Sequence, residues 1–195
     1  MTSARLETFS DGVIAILITI MVLELGVPHG RGLDAIRPIL PVLLAYVLSF
    51  VNLGIYWSNH HHMFTTVDGV RGGILWANLH LLFWLSLFPF TTAWMGENGF
   101  ASLPVLVYGA VSLGAALAYY TLQRLIIRSQ GESSALAHAI GDDFKGKLSP
   151  VLYVAGIGFA YPVRWLSLAL YVIVALMWLA PDRRIEKIQL TTPDS

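Results

Sequence analysis

The chain has 195 residues, 56% of them hydrophobic and only 12% charged, with a mean hydropathy of +0.66. Soluble domains carry about 25% charged residues, so half that fraction points to a membrane protein. Twelve Lys and Arg balance twelve Asp and Glu, which argues against a nucleic-acid partner, and the lack of cysteine removes disulfides, thiolate metal sites and cysteine nucleophiles together.

Apolar runs of spanning length predict six transmembrane helices, at about 6–27, 36–64, 71–95, 102–124, 147–161 and 163–180, in one all-α unit covering residues 1–195. The first reads straight on into Glu24 and Leu25 with no A-x-A-like exit, so it is expected to be a retained signal anchor. It ends at Pro28-His29-Gly30, a helix-stopping cluster. The second opens with Arg37-Pro38, a proline suited to a first turn, and is long enough to tilt or to extend past the bilayer. Gly96-Glu97-Asn98-Gly99 is the turn after the third, whose one break candidate is Pro89. After the fourth comes RLIIRSQGESSALAHAIGDDFKGK, read as a loop with a short amphipathic helix. The fifth is short for a span and meets the sixth through Pro162.

With the N-terminus inside, nine basic residues face the cytoplasm (Arg5, Arg71, Arg124, Arg128, Lys145, Lys147, Arg183, Arg184 and Lys187). Three face outward: Arg31, Arg37 and Arg164. This bias places both termini in the cytoplasm, in a multi-pass cell-membrane protein. Small residues recur every fourth position at Ala110, Gly114 and Ala118, and again at Gly156 and Ala160, where they let helix backbones approach within one subunit.

Phe9-Ser10-Asp11 raises the main question, because a charge beside hydrocarbon is costly unless it is paired. At 100° per residue, Asp11 lies about 140° and Ser10 about 120° around the helix from Ile16. Ile20 and Leu23 share the Ile16 stripe, and Thr19 borders it at about 60°. That stripe faces either lipid or a hollow centre, and periodicity does not choose. Ser49, Asn52, Tyr56 and Asn59 form a polar stripe on the second span, followed by YWSNHHHMF, while the third span adds Asn78 and His80. These groups are expected to satisfy Ser10 and Asp11 in a structural network rather than a catalytic one.

His60, His61 and His62 are consecutive, so they fan out around the helix, and no ligand completes them before Asp68. No metal site is therefore expected, nor any cofactor. There is no phosphate loop, G-x-S-x-G or membrane-depth carboxylate pair, so the chain does not read as an enzyme.

Taken in order, R-x-x-x-F-S-D at Arg5, Phe9, Ser10 and Asp11, then W-x-x-H-H-x-x-F at Trp57, His60, His61 and Phe64, and N-L-x-L-L-F with S-L-x-P-F in the third span, resemble the transmembrane protein 175 family. These are the endolysosomal potassium channels and their bacterial relatives; the tail PDRRIE also looks like bacterial members. The resemblance implies a homotetramer of single six-helix repeats in the lipid bilayer, conducting K+ passively through a pore lined by the first helix. It implies Ile16 as a hydrophobic constriction, Ile20 and Leu23 along the conduction path, Thr19 in selectivity, and Asp11 as an anchor. Arg5, Phe9, Ser10, Trp57, His60, His61 and Asn78 would belong to the structural motif. With no T-V-G-Y-G loop, selectivity would come from side chains. The competing readings are a proton-conducting channel, with Asp11 and His60 to His62 as titratable candidates, and a proton-coupled secondary transporter. The latter would want inverted repeats, and none is evident.

Overall fold

Lipid offers no partner to backbone N–H and C=O groups, and a helix pairs its own. The computed structural model describes residues 2–65, 67, 69–131, 134, 136, 137 and 143–179, and among them no strand occurs. The helices are α1 (Ser3–Leu23), α2 (Leu40–Phe64), α3 (Gly72–Ser86), α4 (Phe88–Glu97), α5 (Ser102–Gln130), α6 (Phe144–Phe159) and α7 (Arg164–Leu179). With α3 and α4 in series they make six helical segments of an all-α membrane protein, four of them long and apolar enough to cross a bilayer. The tail PDRRIE, Asp68 and much of the expected amphipathic helix after α5 lie outside the described residues.

Helix ends depart from the hydropathy reading where local chemistry intervenes. The second span begins as two 3-10 turns, Leu33–Ala35 and Arg37–Ile39, before Pro41 opens the regular helix. The third, read as one helix, is broken at Leu87. There the Leu87 N–H turns back to the Trp84 carbonyl, and Pro89, lacking an N–H, starts α4. The fourth runs on past 124 to Gln130 and stops at Gly131, which has φ 94°. At α6, Asp143 accepts a capping hydrogen bond from the Gly146 N–H at 3.1 Å. Burial pushes the Asp143 carboxyl above its ordinary range, against the opposing pull of that N–H, of Arg124 and of Gln123.

The long α5 is the hub, packing against α3, α4, α6 and α7, whereas α1 packs on α2, α3 and α4. Small residues set how close these contacts come. A Cβ on Gly114 would overlap the Trp84 indole, and one on Gly109 or Gly156 would overlap the Tyr171 ring. On α4, a Cβ at Gly96 would sit 2.6 Å from the Val42 Cα of α2. The small residues of α5 and α6 are thus sockets for aromatic rings of the same subunit. Tyr171 lies fully buried with Tyr108 and Tyr153, ring centroids 5.9 Å away in each case.

Overpacking a close-packed interior costs about 1–3 kcal/mol, whereas Gly to Ala in an open helical position gains about 0.5–1 kcal/mol. Gly114→Ala should therefore lower the thermal midpoint of the purified protein in detergent. Gly158→Ala, with nothing within 4 Å of its added carbon, should leave it equal or higher. Equal behaviour of the two variants would contradict the socket assignment.

Candidate functional site

The helix α1 has one polar residue turned inward. Leu6, Ser10, Ile14, Leu17 and Met21 form its buried stripe, at the i, i+4, i+7 spacing of a single face. Ser10 is fully buried, and its Oγ donates to the Leu6 carbonyl at 2.9 Å. With its proton committed, Ser10 Oγ accepts from Asn78 Nδ2 of α3 at 2.9 Å. That fixes the Asn78 amide, whose Oδ1 lies 2.7 Å from His60 Nε2 of α2. Nε2 therefore carries the ring proton, leaving Nδ1, which is buried and has no partner among the described residues, with its lone pair. His60 is also stacked on Phe64, centroids 4.5 Å apart. One directed chain, His60 to Asn78 to Ser10 to Leu6, ties three helices together.

The remaining motif residues lie around this chain rather than in it. Asp11 is half-buried, and its Oδ1 is sealed without a hydrogen-bond partner among the described residues. Asn78 of the third span thus reaches Ser10, and among the described residues no histidine hydrogen-bonds Asp11 Oδ1. Arg5, Phe9 and Trp57 are exposed. His61 Nδ1 lies 2.5 Å from Glu7 Oε1, a link between the starting end of α1 and the finishing end of α2. Glu7 was missing from the sequence reading. Its only signal was its place one turn before Asp11 on the end of α1 that meets the histidines.

Two expectations are corrected. The stripe on α2 does not serve Ser10 and Asp11. Instead, Ser49 pairs with Thr92 of α4 at 2.6 Å, and Asn52 Nδ2 donates to the Tyr108 hydroxyl of α5 at 3.0 Å. A helical stripe fixes a shared face but not which neighbour receives it. His80 is exposed and accepts from Trp84 Nε1 at 2.9 Å, outside the network, because it sits two residues and so about 200° around α3 from Asn78. His60 turns inward while the His61 and His62 ring centroids lie 5.6 Å apart, and no metal-holding group of three or more His, Cys, Asp or Glu occurs among the described residues.

Opposite the buried stripe, α1 presents an apolar face. Phe9 is 51% exposed, Ile16 58%, Ile20 40% and Leu23 79%. Thr19 is exposed beside them, its Oγ1 donating to the Ile16 carbonyl at 2.9 Å. The hydroxyl proton is used internally, so the oxygen presents lone pairs outward.

These features define a multi-pass all-α membrane protein in which a buried polar relay anchors a largely apolar first helix. The family model described as "Endosomal/lysosomal potassium channel TMEM175" matches residues 5–89, which include the relay and the motifs at Arg5–Asp11 and Trp57–Phe64. A protein named as a potassium channel from Chryseobacterium sp. (strain P1-3) is 54% identical over 187 residues, covering 96% of this chain and 97% of that one. Another so named, from Streptomyces collinus, is 36% identical over 128 residues, 62% of each chain. The crystal structure of a lysosomal potassium-selective channel TMEM175 homolog from Chamaesiphon minutus matches with a TM-score of 0.76 at 26% identity. It covers 92% of this chain and 97% of that one. The chain belongs to the transmembrane protein 175 family.

Stranding a buried polar group costs about 1–3 kcal/mol, whereas an exposed ion pair is worth about 0–1 kcal/mol. Asn78→Leu strands the His60 imidazole and should destabilise the protein by at least that first amount in detergent melts. His61→Gln, at the half-exposed Glu7 link, should cost 1 kcal/mol or less. A larger loss from His61→Gln than from Asn78→Leu would place the anchor elsewhere.

Proposed function

We propose that this protein is a potassium-permeable cation channel of the cell membrane, a homotetramer whose four α1 helices line a central pore, with both termini cytoplasmic. The single observation behind this reading is the exposed apolar face of α1, held outward by a buried polar relay. A face that only met lipid would not need its azimuth fixed by directed hydrogen bonds; a face lining a pore would. The potassium-channel names of the bacterial relatives and of the structural neighbour support the same assignment.

In that assembly Ile16, Ile20 and Leu23 line the path. A ring of four Ile16 side chains gates by dewetting: methyl groups cannot replace the hydration shell of an ion, so a narrow ring blocks and a widened one passes hydrated cations. Four Thr19 oxygens, with their protons donated to backbone, offer only acceptors to the lumen and so favour cations over anions. Asp11 takes its missing partner from water or from a neighbouring subunit, since one subunit leaves its Oδ1 unsatisfied. Arg5, Phe9, Trp57, His60, His61 and Asn78 act as scaffold. K+ is the permeant ion rather than a bound cofactor, and no reaction is catalysed.

The test is ion flux in proteoliposomes of purified protein under a potassium gradient, then with sodium substituted. Channel-rate potassium flux is expected, rising severalfold in Ile16→Asn, which wets the constriction, and changing in its potassium-to-sodium ratio in Thr19→Ala. Absence of passive cation flux under every gradient would sink the channel reading. Flux that survives unchanged in both variants would move the pore away from α1.

A further inference from the structure

Behind α2, on the side away from α1, the bundle is not fully packed. A cavity of about 40 Å³ lies between α2, α5, α6 and α7, lined among others by Tyr56, Asn59, Tyr119, Gln123, Tyr153 and Trp178. It occupies the end of the bundle where α2 finishes and α6 begins, and is separate from the exposed face of α1.

The polar groups around this space are incompletely paired. Trp178 Nε1 donates to Ser149 Oγ at 2.8 Å, Gln123 Nε2 to Asp143 Oδ2 at 3.4 Å, and the Tyr119 hydroxyl to the Asn59 carbonyl at 3.4 Å. The hydroxyls of Tyr56 and Tyr153 and the side-chain amide of Asn59 have no hydrogen-bond partner among the described residues. Yet none of these groups is among the sealed, unsatisfied atoms: each keeps accessible surface. Two phenols and an amide supply several donor and acceptor positions on residues lining one partly open space.

Lipid offers such groups no partner, and a dry pocket would leave each desolvated at about 1–3 kcal/mol. Cavities lined by hydrocarbon stay empty, whereas polar ones with at least about 10–15 Å³ per molecule take up water that bonds two to four protein groups. The volume therefore suits about three waters. We propose that this cavity is an internal hydration site, in which a small cluster of ordered waters bridges Tyr56 and Asn59 of α2 to Tyr153 of α6. The cluster completes the polar satisfaction of α2 toward α6, as the His60–Asn78 pair does toward α3, and so braces the helix that holds α1.

Radiolytic hydroxyl-radical labelling of the full-length protein in detergent, read by mass spectrometry, tests this directly, because radicals formed in bound water oxidise the residues touching it. Tyr153 and Tyr171 are nearly equal in burial, 3% and 0% exposed, but only Tyr153 lines the cavity. Tyr153 should be oxidised at least about fivefold faster than Tyr171 and Tyr108. Labelling of Tyr153 at the rate of Tyr171 overturns the proposal. The melting point of Tyr153→Phe gives a second readout. It should fall by about 2–4 °C, the shift that roughly 1 kcal/mol produces in a protein of this size. A dry pocket predicts an unchanged or higher midpoint, since removing an unpaired hydroxyl is then neutral or favourable. That outcome counts equally against the site.

Discussion

Everything about α1 depends on one buried serine. Lipid cannot satisfy a hydroxyl, an amide or an imidazole, so Ser10, Asn78 and His60 must satisfy one another. They do so in only one sense, because the Ser10 proton goes to its own backbone and each later role follows from it. A helix is rigid in azimuth at 100° per residue. Holding Ser10 inward therefore turns Ile14, Leu17 and Met21 inward with it and leaves Ile16, Ile20 and Leu23 outside. Rotation by one residue would break the Asn78 to Ser10 hydrogen bond, the relay bond that crosses from α1 to another helix, and would bury Ile16 in space shaped for others. The relay converts a local polar requirement into the orientation of a face some ten residues away along the helix.

The rest of the bundle falls into two tiers with different packing physics. Around α5, glycines receive whole aromatic rings, and Trp84 against Gly114 and Tyr171 between Gly109 and Gly156 leave no room to adjust. Hydrophobic collapse gives no advantage between helices in lipid, so close van der Waals fit must supply the attraction. By contrast α1 touches α2, α3 and α4 along one stripe, where apolar packing of Leu6, Ile14, Leu17 and Met21 is joined by the Ser10 hydrogen bond to Asn78 and, at the exposed end, by the Glu7–His61 link.

How much of this could be read from the sequence follows the same division. Hydropathy found the spans, because length and apolarity are properties of one helix. The break at Leu87 was half legible: Pro89 announced an interruption, but its position two residues earlier follows from proline needing a first-turn place in the new helix. Periodicity placed Asp11 and Ser10 correctly away from Ile16, yet it could not say which of the two was bonded. It also sent the α2 stripe to the wrong neighbour: Ser49 and Asn52 meet Thr92 and Tyr108, residues with no sequence signature of their own. Which helix faces which is a property of the assembled bundle and is absent from any single segment. The likeness to the transmembrane protein 175 family supplied what periodicity lacked, namely a reason for an apolar stripe to face a lumen.

In the proposed tetramer, this arrangement also limits how selectivity can arise. Filters that strip water from an ion need many fixed oxygens close around it. Here one layer of Thr19 hydroxyls, each tethered to its own backbone carbonyl, adjoins layers of isoleucine and leucine. Acceptors alone discriminate by sign of charge, and four of them replace only part of a hydration shell. Size discrimination would then rest on how wide the Ile16 ring opens, which is set by the tilt and rotation of α1. Since the buried relay at Ser10 sets that rotation, selectivity and gating would share one mechanical determinant, located at the motif and not at the residues that touch the ion.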